Sequence, residues 1–248
     1  LSELSEIELT GIVDIDGNRA KTQGKQYCVP HFTRHEDLFS KVDAVIVAVP
    51  TSSHYPVARD FLKSGIHVLL EKPCANNLSD ASDLFKIADE KNLTLHIGHV
   101  ERFNGAVQEI HKIVTDPIFV ESRRMGPFSD RIKDDGVVLD VMIYDIDIVL
   151  NLIGSRVKQS NVVGASVFSK KDDLVNAQLQ FENGCIANIV ASRASQNKVR
   201  TLSITQPDSY VILDYTEQEI FVHRQSSSES TLTRDSLRYK QESLVERI

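Results

Sequence analysis

Short apolar runs alternate with amphipathic stretches over residues 9–98, and this alternation constrains the fold more than any other feature. The runs are short and rich in Val, Ile and Leu, which is typical of buried strands in a parallel sheet. The amphipathic stretches between them would cover the sheet as helices. We therefore predict an α/β domain with parallel strands at residues 9–13, 44–49, 66–70 and 95–98.

Two of the intervening stretches carry apolar residues at helical spacing. The first has them at Val57, Ala58, Phe61 and Leu62 and stops at Gly65, a residue suited to a helix C-terminus. The second begins near Ser79, a suitable N-cap, and is predicted to bury Ala81, Leu84, Phe85 and Ala88.

Strand-like alternation predominates after Pro117. Ala177, Leu179 and Phe181 alternate with polar residues up to Asn183-Gly184, a hairpin turn signal that leads into a strand at 185–192. Further strands are predicted at 201–205, 210–214 and 220–223, and the Ser-rich stretch 226–230 is predicted to be a loop. This part therefore favours a mainly antiparallel sheet.

One long helix is predicted within this second part, between Gly136 and Gly154. Its apolar stripe consists of Leu139, Met142, Ile143, Ile146, Val149, Leu150 and Ile153. A stripe of this width should pack on the sheet. We expect two domains, an α/β domain over residues 1–116 and a sheet domain with a packed helix over residues 117–248.

Both ends of the sequence resemble interrupted elements, so we expect a chain truncated at both ends. Residues 1–4 resemble the end of a helix, and residues 244–248 resemble the start of one. Asp14 follows the first predicted strand, where a Rossmann-type fold has an acidic residue about 20 positions after its phosphate-binding glycines. The sequence contains no G-x-G-x-x-G. We expect the missing strand, glycine loop and helix to precede Leu1.

Composition excludes several classes of function. The formal net charge is −7, and the basic residues are scattered, so a nucleic acid is not an expected partner. The three cysteines match neither a zinc spacing nor a disulfide framework, so we expect no metal and a reducing cytoplasm. No apolar run approaches the roughly 20 residues of a membrane span, and no leader is recognisable. We expect a soluble, cytoplasmic protein without a membrane partner.

Several motifs occur in the order found in one known family. Residues 65–73 read G-I-H-V-L-L-E-K-P, and residues 43–54, D-A-V-I-V-A-V-P-T-S-S-H, precede them. The chain continues with G-H-V-E-R-F-N at 98–104 and with the helix at 136–154. These segments resemble the Gfo/Idh/MocA oxidoreductases. The resemblance implies a Rossmann-type domain that binds NAD, with NADP a less favoured cofactor, and an antiparallel substrate domain.

Lys72 is the first candidate catalytic residue. It follows an apolar strand, which places it at the carboxyl edge of a parallel sheet, where open α/β folds bind ligands. Oxidation of a hydroxyl needs a group that stabilises the developing alkoxide and one that accepts its proton, and a lysine can assist both. The alternative is a solvated surface lysine. The resemblance further implies a cis bond before Pro73.

Asp140, Tyr144 and Asp147 share one face of the long helix. The segment resembles the family's D-x-x-x-H-x-x-D, whose histidine is the presumed acid and base, but Tyr144 occupies that position. The resemblance therefore makes Asp140 and Tyr144 candidate catalytic residues. A tyrosine can exchange a proton if a nearby cation such as Lys72 lowers its pKa. The alternative is that Tyr144 only packs or hydrogen-bonds a substrate.

The resemblance also implies ligand contacts. Cofactor contacts would come from Asp14, Pro50, Thr51, His54, Glu71 and Lys72, and substrate contacts from His99, Arg102, Asn104, Asp140 and Tyr144. An acidic Asp14 would repel a ribose phosphate and so favour NAD. The alternatives are an ordinary turn aspartate, structural histidines and a surface salt bridge at Arg102. Arg102 would otherwise suit the phosphate of a nucleotide sugar.

The function implied is hydride transfer from a sugar hydroxyl to NAD. Residues 99–104, 127–131 and 138–143 most resemble the MviM-like members that act on the 3-hydroxyl of a UDP-N-acetylhexosamine. Two alternatives remain: a dehydrogenase of inositol or a free sugar, and a non-catalytic protein that keeps the fold to sense a nucleotide or sugar. The family also implies a homodimer or homotetramer that pairs through the sheet.

Overall fold

A computed structural model describes residues 3–129, 135–225, 230–233, 236–239 and 243–248, with the backbone alone between 225 and 243. The chain divides into two compact units, Leu1–Gly98 and His99–Ile248. The first is a Rossmann-type α/β unit and the second is built on a mostly antiparallel sheet. Both parts of the predicted fold class are confirmed.

The first unit alternates strands and helices, as the sequence predicts. In chain order its elements are β1 (Ile12–Val13), α1 (Gly17–Tyr27), β2 (His31–Phe32), β3 (Ala44–Val47), α2 (His54–Lys63), β4 (His67–Glu71), α3 (Leu78–Glu90) and β5 (Leu95–Gly98). Strand β1 pairs in parallel with β2, and β3, β4 and β5 form a second parallel sheet in that order. The helix α1 has little apolar periodicity, which is why the sequence pattern did not indicate it.

Local capping decides where the helices of this unit begin and end. The Asn77 side chain accepts from the Asp80 backbone N–H, so α3 starts at Leu78, and Ser79 lies inside the first turn rather than at the N-cap. Helix α2 ends before Gly65, whose positive φ of 82° suits a residue without Cβ. The predicted burial of Phe85 is wrong, since 44% of it is exposed while Ile87 packs in the core.

One face of the β3–β4–β5 sheet is covered and the other is open within the described residues. Helices α2 and α3 pack against the covered face, where Val47, Val68 and Leu70 are buried. On the opposite face Ile46 and Leu69 are exposed side by side. A cavity of about 900 Å³ is lined by residues of β1, β3 and β4. Within the described residues, strand β3 has a neighbouring strand on one edge only, which is β4.

The second unit contains one large sheet with helices on it. Its elements are a 3-10 turn (Val100–Phe103), α4 (Gly105–Ile113), β6 (Phe119–Met125), a π-helical turn (Val138–Met142), α5 (Ile143–Ile153), β7 (Val157–Ala165), β8 (Leu174–Phe181), β9 (Ile186–Ser192), β10 (Val199–Thr205), β11 (Ser209–Asp214), β12 (Glu219–Gln225), β13 (Ser230–Thr233), β14 (Ser236–Tyr239) and β15 (Ser243–Arg247). The eight-stranded sheet has the order β15-β12-β11-β10-β6-β9-β8-β7. Only the β6–β9 pair in it is parallel.

The boundary between the units differs from the predicted one after residue 116. Helix α4 packs against β11 and β12 and buries Ala106, Val107 and Ile110 in the core of the second unit. Residues 99–116 therefore belong with the sheet. The predicted boundary lies where strand patterning begins. A helix that packs on strands later in the chain carries no local sequence signal that identifies them.

The predicted long helix is confirmed, and it ends at Gly154 in the left-handed conformation. Its buried face differs in part from the predicted stripe. Met142, Val149 and Ile153 are buried as expected, whereas Leu150 is exposed and Ile148 is buried in its place. The π-helical turn Val138–Met142 has more residues per turn than an α-helix. It therefore shifts the positions that face the sheet.

The C-terminal prediction is wrong in one respect. Residues 244–248 form most of β15 and no helix, and β15 pairs antiparallel with β12. Residues of the predicted Ser-rich loop at 226–229 lie outside the described residues. At the other end the predicted helix end at residues 1–4 is also partly outside them, and Glu3 lies in a turn. The hairpin at Asn183-Gly184 is confirmed, with φ of 90° at Gly184.

A buried ion pair ties several segments of the second unit together. The Asp173 carboxylate is fully buried and accepts backbone N–H groups from residues 167–169. Arg193 Nε donates to it at 2.7 Å, and Arg193 Nη1 donates to the Asp135 carbonyl. Burial opposes the charge of Asp173, but these donors outweigh burial and hold its pKa well below the usual range.

We predict that Asp173→Asn lowers the free energy of unfolding by about 3 kcal/mol, because Arg193 loses the charge that compensates its own burial. Urea unfolding at neutral pH measures this, with the exposed neighbour change Asp172→Asn as control. Because the folded pKa is depressed, the stabilisation is present above the unfolded pKa of about 3.9 and is lost as the pH falls toward the folded pKa. An equal loss for both variants would contradict this account.

Candidate functional site

The turns that follow β3 and β4 lie at one edge of the parallel sheet. The two strands run in the same direction in register from Ala44↔His67 to Val47↔Leu70. Pro50 and Thr51 follow the first strand, and Lys72 follows the second. Their backbones therefore leave the sheet on its carboxyl side, as predicted for Lys72, and the Lys72–Pro73 bond is cis.

The ring of His54, a predicted cofactor contact, is buried beside these turns. Only 2% of the residue is exposed. Its Nδ1 lies 2.6 Å from the Pro73 carbonyl oxygen, and its Nε2 lies 2.9 Å from the Val49 carbonyl oxygen. Both ring nitrogens therefore lie against main-chain carbonyls, and the cofactor contact of His54 stays a prediction.

Glu71 fits closely against the neighbouring strand. It pairs with Gly98 in the β4–β5 ladder. A Cβ added to Gly98 would lie 3.1 Å from the Glu71 Oε2 atom. The missing side chain at Gly98 thus leaves room for the Glu71 carboxylate, which stays predicted as a cofactor contact.

Asp14 lies directly after β1, where the sequence predicts the ribose-binding acid. Its Oδ1 accepts the Asp16 backbone N–H, and its Oδ2 lies 3.3 Å from the Arg19 Nε. Asp16 in turn caps α1, and the N–H groups of Arg19 and Asn18 lower the pKa of its carboxyl. The Asp14 carboxylate is partly exposed and retains acceptor capacity for a ribose hydroxyl.

These residues fit a dinucleotide in part. A carboxylate after β1 and polar residues after β3 and β4 suit the adenosine ribose and the nicotinamide side of a cofactor. A glycine-rich loop that could hold the pyrophosphate is not found in the sequence.

Tyr144 lies in a buried charged network in the second unit. The Arg124 guanidinium lies 5.2 Å from the Tyr144 ring centroid and 4.9 Å from that of Tyr215. Arg124 also pairs with Asp145 at 2.7 Å and with Glu101 at 2.9 Å. Although burial opposes its charge, these carboxylates raise the pKa of Arg124, and burial raises the pKa of Tyr215 well above its usual range.

The other polar residues of the same helix are paired with cations from other segments. Asp140 lies 3.6 Å from Arg193, which links it to the Asp173 network. Asp147 accepts both Arg102 Nε at 2.7 Å and Arg102 Nη2 at 2.5 Å. This hydrogen bonding raises the pKa of Arg102. The helix therefore places each of these carboxylates against an arginine.

Two predicted substrate residues have contacts of a structural kind. Arg102 donates two hydrogen bonds to Asp147, which agrees with the salt-bridge alternative, and its phosphate contact stays a prediction. Asn104 caps α4, because its Oδ1 accepts from Ala106 N–H, and its Nδ2 donates to the Tyr215 carbonyl. The Nδ1 of His99 lies 3.8 Å from Asp147.

The sequence analysis missed Arg124, Asp145 and Arg193. A signal for the first exists in the alternation of β6, since Val120, Ser122 and Arg124 share the inward face. An arginine at an inward position needs buried carboxylates, and the sequence does not say which ones these are.

In the part of the chain that the structure describes, no group of three or more His, Cys, Asp or Glu side chains could hold a metal ion. None of the described helices has the length and apolar character needed to cross a membrane.

Two family models match the chain in sequence. Residues 1–99 match an oxidoreductase family model described as an NAD-binding Rossmann fold. Residues 101–208 match the GFO/IDH/MocA C-terminal domain. The junction of the two models coincides with the division between the structural units after Gly98.

Known proteins resemble the chain along most of its length. It is 31% identical to the UDP-N-acetylglucosamine 3-dehydrogenase of Acidithiobacillus ferrooxidans, over 89% of this chain and 71% of that protein. The solved structure of that enzyme superposes with a TM-score of 0.83, covering 87% of this chain and 72% of the other.

Two further structures share the fold at lower identity. The dehydrogenase MviM from Clostridium difficile has a TM-score of 0.82 at 22% identity, covering 97% and 76% of the two chains. The WlbA dehydrogenase from Bordetella pertussis, in complex with NADH and UDP-GlcNAcA, has a TM-score of 0.78 at 20% identity, covering 83% and 66%. With both of its units matched, the chain belongs to the Gfo/Idh/MocA family of NAD-binding oxidoreductases.

Proposed function

We propose that the protein oxidises the 3-hydroxyl of a UDP-N-acetylhexosamine with NAD as acceptor. The observation that carries this proposal is the position of Lys72, which lies within the signature G-x-H-V-x-x-E-K-P and directly follows β4 at its carboxyl edge. The similarity to a UDP-N-acetylglucosamine 3-dehydrogenase over 89% of the chain supports the substrate. The complex of WlbA with a nucleotide sugar supports the same class.

The chemistry requires the sugar carbon to lose a hydride and its hydroxyl to lose a proton. NAD, when bound, takes the hydride. Lys72 is proposed to stabilise the developing alkoxide with its ammonium group. An ammonium aimed at the position where charge develops contributes mainly in the transition state.

Tyr144 and Asp140 are proposed to bind the sugar and to take part in proton transfer. The Arg124 guanidinium lies 5.2 Å from the centroid of the Tyr144 ring. Asp140 is held by Arg193. These contacts with arginines restrict the rotamers of both side chains. Side chains with restricted rotamers transfer protons and bind hydroxyls at a lower entropic cost.

NAD is proposed as the cofactor in preference to NADP. The Asp14 carboxylate would repel a ribose 2′-phosphate and would accept a ribose hydroxyl. Arg19 is a cation beside Asp14 that could accept such a phosphate, but it is engaged by Asp14 and Asp16. The charge of Asp14 and the engagement of Arg19 thus both favour NAD over NADP.

A homodimer or homotetramer is proposed as the assembly, and the cytoplasm as its location. The large sheet carries a row of three exposed residues, Tyr210, Phe119 and Ile186. They lie in a row because Tyr210 and Phe119 both pair with Thr205, and Phe119 pairs with Ile186. An exposed row of this kind on a sheet face favours a partner surface.

Incubation with cofactor and nucleotide sugar tests the proposed reaction. The purified protein with NAD and UDP-N-acetylglucosamine should accumulate NADH, and the sugar product should be lighter by the mass of two hydrogen atoms. Absorbance and mass spectrometry measure the two. Myo-inositol and glucose serve as the competing substrates. Turnover of either in preference to the nucleotide sugar would replace the proposed substrate and keep the oxidoreductase chemistry.

Replacing the lysine separates an enzyme from a sensor. Lys72→Ala should lower kcat by about 10²–10⁴-fold, the range of one acid–base or electrostatic group, while NADH still binds. The matched control is Lys86→Ala on the exposed side of α3. Steady-state kinetics and NADH fluorescence measure both properties. A wild-type protein that binds NADH and turns over no sugar would support the non-catalytic alternative.

Cofactor preference should depend on Asp14. In Asp14→Asn the repulsion of a 2′-phosphate is removed and Arg19 keeps only its Asp16 partner, so the ratio of kcat/KM for NADP to that for NAD should rise by about 10- to 100-fold. The control is Asp89→Asn on α3, an exposed acid remote in sequence. An unchanged ratio would exclude Asp14 from ribose recognition.

A further inference from the structure

The His54 ring connects the two turns at the carboxyl edge of the sheet. Its Nε2 contacts the carbonyl of Val49, directly before Pro50 and Thr51. Its Nδ1 contacts the carbonyl of Pro73, directly after Lys72. One side chain therefore joins the turn after β3 to the turn after β4.

The β3–β4 ladder does not join these two turns. The hydrogen-bonded register of β3 with β4 ends at Val47 and Leu70. Beyond it, the Ser53 N–H closes the first turn locally on the Pro50 carbonyl. Among the described contacts, the ring of His54 is the side chain that links one turn to the other.

Histidine suits this position chemically. A carbonyl oxygen only accepts hydrogen bonds, so the ring donates to one of the two carbonyls as a neutral tautomer and to both in its protonated form. The two nitrogens lie on opposite sides of a rigid ring, which fixes the separation of the two carbonyls. Because only 2% of His54 is exposed, water does not replace these contacts at low cost.

We propose that His54 is a positioning residue that sets the placement of Lys72 and of Thr51 through these two carbonyls. Its kinetic consequence rests on the proposed function, whereas the link between the turns does not. The Pro73 contact fixes the backbone next to the lysine. The Val49 contact fixes the backbone next to the turn with the predicted cofactor residues Pro50 and Thr51.

Two variants separate the two contacts. In His54→Asn the amide nitrogen takes a position close to Nδ1 and retains the Pro73 contact. In His54→Gln the amide nitrogen reaches the position of Nε2 and retains the Val49 contact. The same changes at His111, on the exposed side of α4, serve as controls.

Hydrogen exchange tests the link without any need for turnover. Loss of one hydrogen bond, about 1 kcal/mol, corresponds to about fivefold faster exchange. We expect this acceleration in peptides covering residues 71–77 for His54→Gln and in peptides covering 49–53 for His54→Asn. A uniform acceleration in both variants, or none, would overturn the proposal.

Kinetics tests the consequence for the site. His54→Gln should lower kcat by about 10- to 100-fold with little change in the KM for NAD, since misplacement by about 1 Å can cost this much. His54→Asn should raise the KM for NAD by about tenfold and keep most of kcat. Parallel losses of both constants in both variants would show that the residue serves stability alone. A selective exchange pattern in a protein without turnover would keep the link and reject the proposed function.

The wild-type protein provides a measurement that does not depend on folded variants. A buried ring N–H bonded to a carbonyl exchanges slowly with water and gives an observable imidazole proton signal in NMR. We expect such a signal for His54 and none for the exposed His111. Rapid exchange at His54 would show that the ring does not hold the carbonyls.

Discussion

Parallel pairing of β3 with β4 and of β4 with β5 is the constraint on which the proposed chemistry depends. Strands that run in one direction end on one side, so residues distant in sequence come to the same edge. Lys72 and Thr51 owe their shared location to this geometry and not to any local motif. The His54 ring then adds a direct link between the two turns, at a place where the ladder has ended.

Buried ion pairs organise the second unit in a comparable way. Arg124 and Arg193 lie on neighbouring strands of the large sheet or just beyond them, and each faces carboxylates of the long helix or of a loop. A buried arginine without a carboxylate would be costly, so the helix and the sheet must dock in one register. The same docking register fixes the positions of Tyr144 and Asp140, the two helix residues that the family resemblance marks as catalytic.

Tyr144 occupies the position where the family resemblance implies a histidine, and its packing on Arg124 bears on the mechanism. A phenol ring that covers Arg124 contributes a cation–π contact of a kind that a smaller imidazole would make less well. The substitution of tyrosine for histidine thus agrees with the local network. The proposed proton transfer at Tyr144 and the packing of its ring on Arg124 use different parts of the side chain.

The sequence by itself determined the family, the α/β character of the first unit, the hairpin at Asn183-Gly184, and the position of Lys72 after a strand. These features follow from local periodicity, turn residues and a motif, which need no knowledge of distant neighbours. The tertiary structure decided the rest. It assigned α4 to the second unit, turned residues 244–248 into a strand, engaged Arg102 with Asp147 and placed His54 between two carbonyls. Each of these outcomes depends on a partner far along the chain, and a local pattern does not identify such a partner.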